Sequence, residues 1–139
     1  MATTTAQFTL TSTDIADNSL SISNTMTLTT AGTATGITET TGLARKKIAS
    51  ASLADLITVA NTDVTAAKSA KVYIKNTSTA TDKYGLVGVG DIAGTPIYIG
   101  RLYGGDWMLI PWDANSGEDI TMTMNDATAT IIEYMVFFE

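Results

Sequence analysis

Residues 97–112 read IYIGRLYGGDWMLIPW, and the reading of this stretch decides the fold. Two apolar runs flank Gly104-Gly105. A two-glycine loop suits a type I′ turn, which needs positive φ at both central residues and keeps its flanking strands paired. Residues Ile97 to Trp112 are therefore expected to form a hairpin. Tyr103 then faces Asp106, Leu102 faces Trp107, Gly100 faces Leu109, and Ile99 faces Ile110. Ile97, Ile99, Ile110 and Trp112 share one face of that hairpin. Tyr98, Leu102, Trp107 and Leu109 share the other. Both faces are apolar, and such a face is seldom left in water. One is assigned to a core. The second, Tyr98, Leu102, Trp107 and Leu109, is the candidate protein interface, covered by another segment or another subunit.

Outward from the hairpin, the same period of two recurs. In Lys71 to Asn76, Val72 and Ile74 alternate with Lys71, Tyr73 and Lys75. Gly85 to Gly90 carries Val87 and Val89. Ile120, Met122 and Met124 alternate with threonines. Thr130 to Phe138 places Ile132, Tyr134, Val136 and Phe138 on one face. Near the N-terminus, Phe8 and Leu10 alternate within Gln7 to Thr11. Leu20, Ile22, Met26 and Leu28 do so further on, and Gly32 to Gly36 reads as a turn. Lys46 to Ser50 reads as a strand. Ser52 to Ala60 is ambiguous, because Leu53, Leu56, Ile57 and Ala60 have helical spacing while Ile57-Thr58-Val59 suits a strand. The β neighbours on both sides favour strand. The expected fold is all-β: an antiparallel β-sandwich, jelly-roll-like, of about eight or nine short strands. Residues 1–139 are read as one domain, with residues 1–44 acting partly as an extended inter-subunit arm.

Composition narrows the function. Hydrophobic residues make up 45% of the 139 and charged residues only 16%, against about 25% in a typical domain. Threonine supplies much of the remaining polarity, and its β-branch suits a pleated surface. The net charge is −6 and the pI about 4.4. That argues against nucleic acid, which needs a basic face, and against an anionic membrane. One basic cluster, Arg45-Lys46-Lys47, is either a solvated turn or a local contact for an acidic partner. With no cysteine and no histidine, disulfides, Cys/His zinc sites and the usual base of a serine or cysteine triad are excluded. The N-terminus has no signal-peptide pattern, and no apolar run reaches the roughly 18 residues of a membrane helix. Synthesis in the cytoplasm is expected, and the Asn76-Thr77-Ser78 sequon is read as accidental.

No motif points to catalysis. Gly88-Val89-Gly90-Asp91-Ile92-Ala93 matches a dinucleotide-binding string, but Gly94-Thr95-Pro96 forbids the helix that the string requires. It is read as a strand end and turn. Asp113, Asn115, Glu118 and Asp119 offer oxygens for Ca²⁺; the same residues serve an ordinary polar turn. No metal or cofactor is assigned. Carboxylates are scattered in turns, Trp107 and Trp112 point to opposite faces, and the protein is not expected to be an enzyme. Met108, Met122, Met124 and Met135 are read as core filler.

Four stretches together carry a resemblance. They are Val72-Tyr73-Ile74-Lys75-Asn76-Thr77, the glycine-rich strand to Gly90, Leu102 to Trp112, and the ending Ile132 to Glu139. With them the chain resembles small β-sandwich virion proteins of tailed bacteriophages, especially head decoration or cement proteins and related tail components. The likeness covers residues 71–139. It implies a structural protein on the virion, at the capsid surface, with the major capsid protein as partner and a homo-oligomer, a trimer above all. The alternative within the same resemblance is a tail or fibre module binding host glycans, which predicts exposed aromatic residues in a loop-end pocket. No site residues carry over, because the class shares no site motif.

Overall fold

A computed structural model describes residues 4–13, 19–28, 39–49, 53–62, 69–114 and 118–138. The strands are β1 (Thr4–Ser12), β2 (Leu20–Leu28), β3 (Glu39–Thr40), β4 (Ala44–Ile48), β5 (Ala54–Ile57), β6 (Ser69–Asn76), β7 (Tyr84–Val89), β8 (Ile97–Tyr103), β9 (Trp107–Asp113), β10 (Ile120–Met124) and β11 (Thr130–Phe138). One 3₁₀ turn, Val59–Asn61, follows β5. The ambiguous segment around Leu56 is thus a strand. The turn expected at Gly32 to Gly36 lies outside the described residues.

Contacts divide the chain into two compact units, residues 1–38 and 39–139. The first contains the antiparallel pair β1–β2, with Ala6 opposite Met26 and Leu10 opposite Ile22. Alternation puts Ala6, Phe8, Leu10, Ile22 and Met26 on one face. Phe8, Leu10, Ile22 and Met26 remain 38–47% exposed.

The second unit is a sandwich of two antiparallel sheets. One has the order β5-β10-β7-β8; in the other β11 lies between β6 and the edge formed by β3 and β4, and β9 flanks β6. β3 and β4 are one edge strand interrupted at Thr41 to Leu43, where Gly42 has φ 72°. Counted so, the described residues of the sandwich form eight strands, ordered first-eighth-third-sixth and second-seventh-fourth-fifth. That is the jelly roll. The core lies between the sheets, where Val72, Ile74, Ile120, Met122, Ile132 and Val136 are fully buried. Each such side chain contributes about 1.5–3 kcal/mol through removal from water.

The expected hairpin from Ile97 to Trp112 does not form. β8 pairs with β7 in one sheet, and β9 pairs with β6 in the other. The reason lies in the turn. Of the two glycines only Gly105 has positive φ, 88°. The Asp106 N–H donates to the Tyr103 carbonyl at 2.9 Å. Positive φ at the second central residue alone marks a type II turn. Its twist opposes that of paired strands and splays them. Gly104-Gly105 is therefore a corner between sheets.

Asn76 locks this corner. Its side chain is wholly buried. Nδ2 donates to the carbonyls of Leu102 (3.0 Å) and Lys83 (3.2 Å), and Oδ1 accepts the Ser78 N–H at 3.0 Å. Its backbone N–H donates to the Asp106 carbonyl, and its carbonyl accepts the Gly105 N–H, each at 3.0 Å. One residue thus ties β6 to β8 and to the turn. With its amide engaged in this way, the sequon at Asn76 offers no accessible acceptor.

Candidate functional site

The splayed corner separates the four residues assigned to one interface. Leu102 is 5% exposed, inside the core. Tyr98 is half-exposed on β8, in one sheet. Trp107, half-exposed, and Leu109, half-buried, belong to β9 in the other. Trp107 and Leu109 do share a face, but with residues that the hairpin register did not include.

That face is the outer side of the β4-β11-β6-β9 sheet, opposite the buried side of each strand. Register sets its rows. Arg45, Glu133, Lys75 and Trp107 lie side by side across four strands. Below them come Met135, Tyr73 and Leu109, then Phe137, Lys71 and Pro111. Above, Lys47 neighbours Ile131. The Tyr73 and Trp107 rings stand 6.4 Å apart at 36°. Arg45 donates to Glu133 Oε1 through Nε (2.8 Å) and a terminal nitrogen (2.6 Å). Burial, and then the Glu133 charge, push the Tyr73 phenol above its ordinary pKa of 10.0, so it stays neutral at physiological pH. The result is an aromatic and aliphatic floor set among Arg45, Lys47, Lys71 and Lys75. Glu133 is the single carboxylate in these rows.

The acidic residues concentrate elsewhere. The β7–β8 and β9–β10 connections lie at one end of the sandwich and carry Asp91, Glu118 and Asp119; Asp113, opposite Ser69 at the end of β9, edges the outer face just described. The Gly90 N–H donates to the Asp119 carbonyl at 2.8 Å, and the Trp112 indole N–H to the Glu118 carbonyl at 2.7 Å. The dinucleotide-like string sits here as a strand end and turn, with Gly90 at φ 127°. Ile92 is 46% exposed and Ile97 is 79% exposed at this same end. Among the described residues no three acidic side chains are close enough to hold a metal ion.

Near this end, Asp55 and Thr121 are register partners on β5 and β10. Asp55 Oδ1 and Thr121 Oγ1 are buried without a hydrogen-bond partner. Burial, reinforced by Asp119 and Asp91 and opposed by Lys46, raises the Asp55 pKa above its ordinary 3.8. On the outer side of that sheet Arg101 stacks over the Tyr84 ring at 4.6 Å, and the Tyr84 and Tyr103 rings are 5.2 Å apart. Beside the Asn76 corner lies an open depression of about 500 Å³, lined by Lys75, Thr77, Ser78, Gly104, Gly105 and Glu133 and by no aromatic side chain.

The sequence reading set Tyr73 opposite the core with Lys71 and Lys75 but assigned neither it nor Phe137 to an interface, and it took Met135, which lies on this outer face, as core filler. A signal was present: Ile131, Met135 and Phe137 make the last strand apolar on both faces, as Ile97 to Trp112 is.

The fold defines residues 39–139 as an antiparallel jelly-roll sandwich. No protein family, curated protein or solved structure matches the chain.

Proposed function

We propose that this is a virion structural protein of a tailed bacteriophage, a capsid decoration or cement protein that stabilises the head by protein–protein contact. The observation that carries the reading is the aromatic, cation-rimmed outer face of the β4-β11-β6-β9 sheet. Tyr73, Trp107, Leu109, Met135 and Phe137 form an apolar patch of the kind that marks an interaction site. The jelly roll suits the role, since it is an architecture used in viral capsids. The half-exposed apolar face of β1–β2 supports an inter-subunit role for the N-terminal residues, because a two-stranded sheet alone is marginal in water. The reading is non-enzymatic, with the major capsid protein as partner and the capsid surface as location.

Co-sedimentation with phage heads that lack the protein tests it, beside mass analysis of the purified chain. Saturable binding to heads is expected. A strict monomer that never associates with heads overturns the reading. The alternative, a tail or fibre module that binds host glycans, draws on the tyrosines of the other sheet, Tyr84, Tyr98 and Tyr103. Glycan-array binding that Tyr98→Ala abolishes would favour it.

A further inference from the structure

The two charged regions of the sandwich are complementary in more than sign. The outer face of the β4-β11-β6-β9 sheet carries an apolar floor ringed by Arg45, Lys47, Lys71 and Lys75. The end at the β7–β8 and β9–β10 connections carries two exposed isoleucines, Ile92 and Ile97, among Asp91, Glu118 and Asp119. Apart from those rows, residues 39–139 hold four cations, Lys46, Lys68, Lys83 and Arg101, and eleven carboxylates. An occupant of the basic face must be acidic, to neutralise the lysines, and apolar at its centre, to cover Tyr73 and Trp107. This chain presents such a surface itself.

We propose that the basic aromatic face of one copy receives the acidic, isoleucine-bearing end of a second copy. The two surfaces differ, so the contact is heterologous. Repeated from copy to copy, it closes into a ring when the rotation permits. Two basic faces, or two acidic ends, repel each other, which disfavours a two-fold arrangement through either surface. Ile92 and Ile97 fill the apolar centre and exclude water, while Lys71 and Lys75 meet the carboxylates around it. The inference rests on the proposed function's reading of this face as a contact surface and names its occupant as a second copy of the chain rather than the major capsid protein. Its test needs only the purified chain. A protein that self-associates through these surfaces but ignores heads fails the virion reading and not this one.

Sedimentation equilibrium of the full chain, at low and high salt, reads the contact. A complex larger than a monomer is expected, loosening as salt screens the charges. Lys71→Glu with Lys75→Glu is expected to weaken association by roughly tenfold or more. Asp91→Lys with Glu118→Lys is expected to do the same from the other side. All four substitutions in one chain restore attraction and bring association back. Thermal unfolding of each variant confirms that it is folded. A monomer at every concentration overturns the proposal. So does an oligomer indifferent to both reversals, or a failure of the fourfold variant, folded, to recover.

Discussion

Asn76 shows how much one side chain holds in this fold. It is wholly buried and uses both amide hydrogens and its oxygen. Asn76→Ala removes the side-chain bonds to the Leu102 and Lys83 carbonyls and to the Ser78 N–H, and opens a small void. A loss of about 3 kcal/mol or more is expected, read as a lowered urea midpoint. Asp55 is the opposite case, a residue that weakens the fold when charged. Its folded pKa is raised. The stability it contributes is therefore fully present below its unfolded pKa and is lost as pH rises through the folded value. Asp55→Asn removes that decline. Urea melts from about pH 4 to about pH 7 check it: the wild-type curve should fall relative to that of the variant, and parallel curves would contradict the assignment. Neither residue was legible beforehand. Asn76 looked like a strand end with an idle sequon, because its partners lie outside its own strand, Lys83 past the next turn and Leu102 on β8. Asp55 stood in the ambiguous segment, with nothing to indicate what would bury it.

At the scale of elements, the strands were legible and their pairing was not. Period two in Lys71 to Asn76 and Thr130 to Phe138 reports one buried face, whatever the neighbour. Gly104-Gly105 was legible as a turn. Its type was not, because glycine enters I′ and II turns with equal ease. The outcome hangs on that choice: I′ keeps β8 and β9 together, and II sends them to different sheets. The candidate interface inherited this error, so two of its four residues proved to lie elsewhere. The two glycines also differ in what they tolerate. A Cβ at Gly105 meets nothing, so Gly105→Ala costs only what its positive φ imposes, about 1–2 kcal/mol. A Cβ at Gly104 collides with the backbone carbonyls of Ala80 and of Ser78, the latter at 2.9 Å. Those atoms belong to the loop held by Asn76 and cannot retreat alone. Gly104→Ala is expected to cost clearly more than Gly105→Ala in the same chemical melt, and the reverse order would refute the corner geometry.

Over the whole molecule, composition disclosed the net charge of −6 but not its polarity. Lys71, Lys75, Arg45 and Glu133 come from three separate strands, and only the sheet order makes them neighbours. The all-β class followed from alternation. The jelly-roll order followed from pairings between distant segments, which local pattern does not encode. Those same pairings govern how the sandwich assembles. β7 and β8 are the only consecutive strands in it that pair with each other among the described residues. β11 joins β3, β4 and β6, so residues 39–76 cannot finish their sheet before residues 130–138 arrive. Loop closure on that scale makes folding slow, in the millisecond-to-second regime of all-β domains. In the interval β4 and β6 wait with bare edges, open to the wrong partner. Arg45, Lys46 and Lys47 on one, and Lys71 and Lys75 on the other, put charge on both strands during that wait and discourage stray pairing. The lysines that ring a surface in the finished protein are thus also guards on its route to the native state.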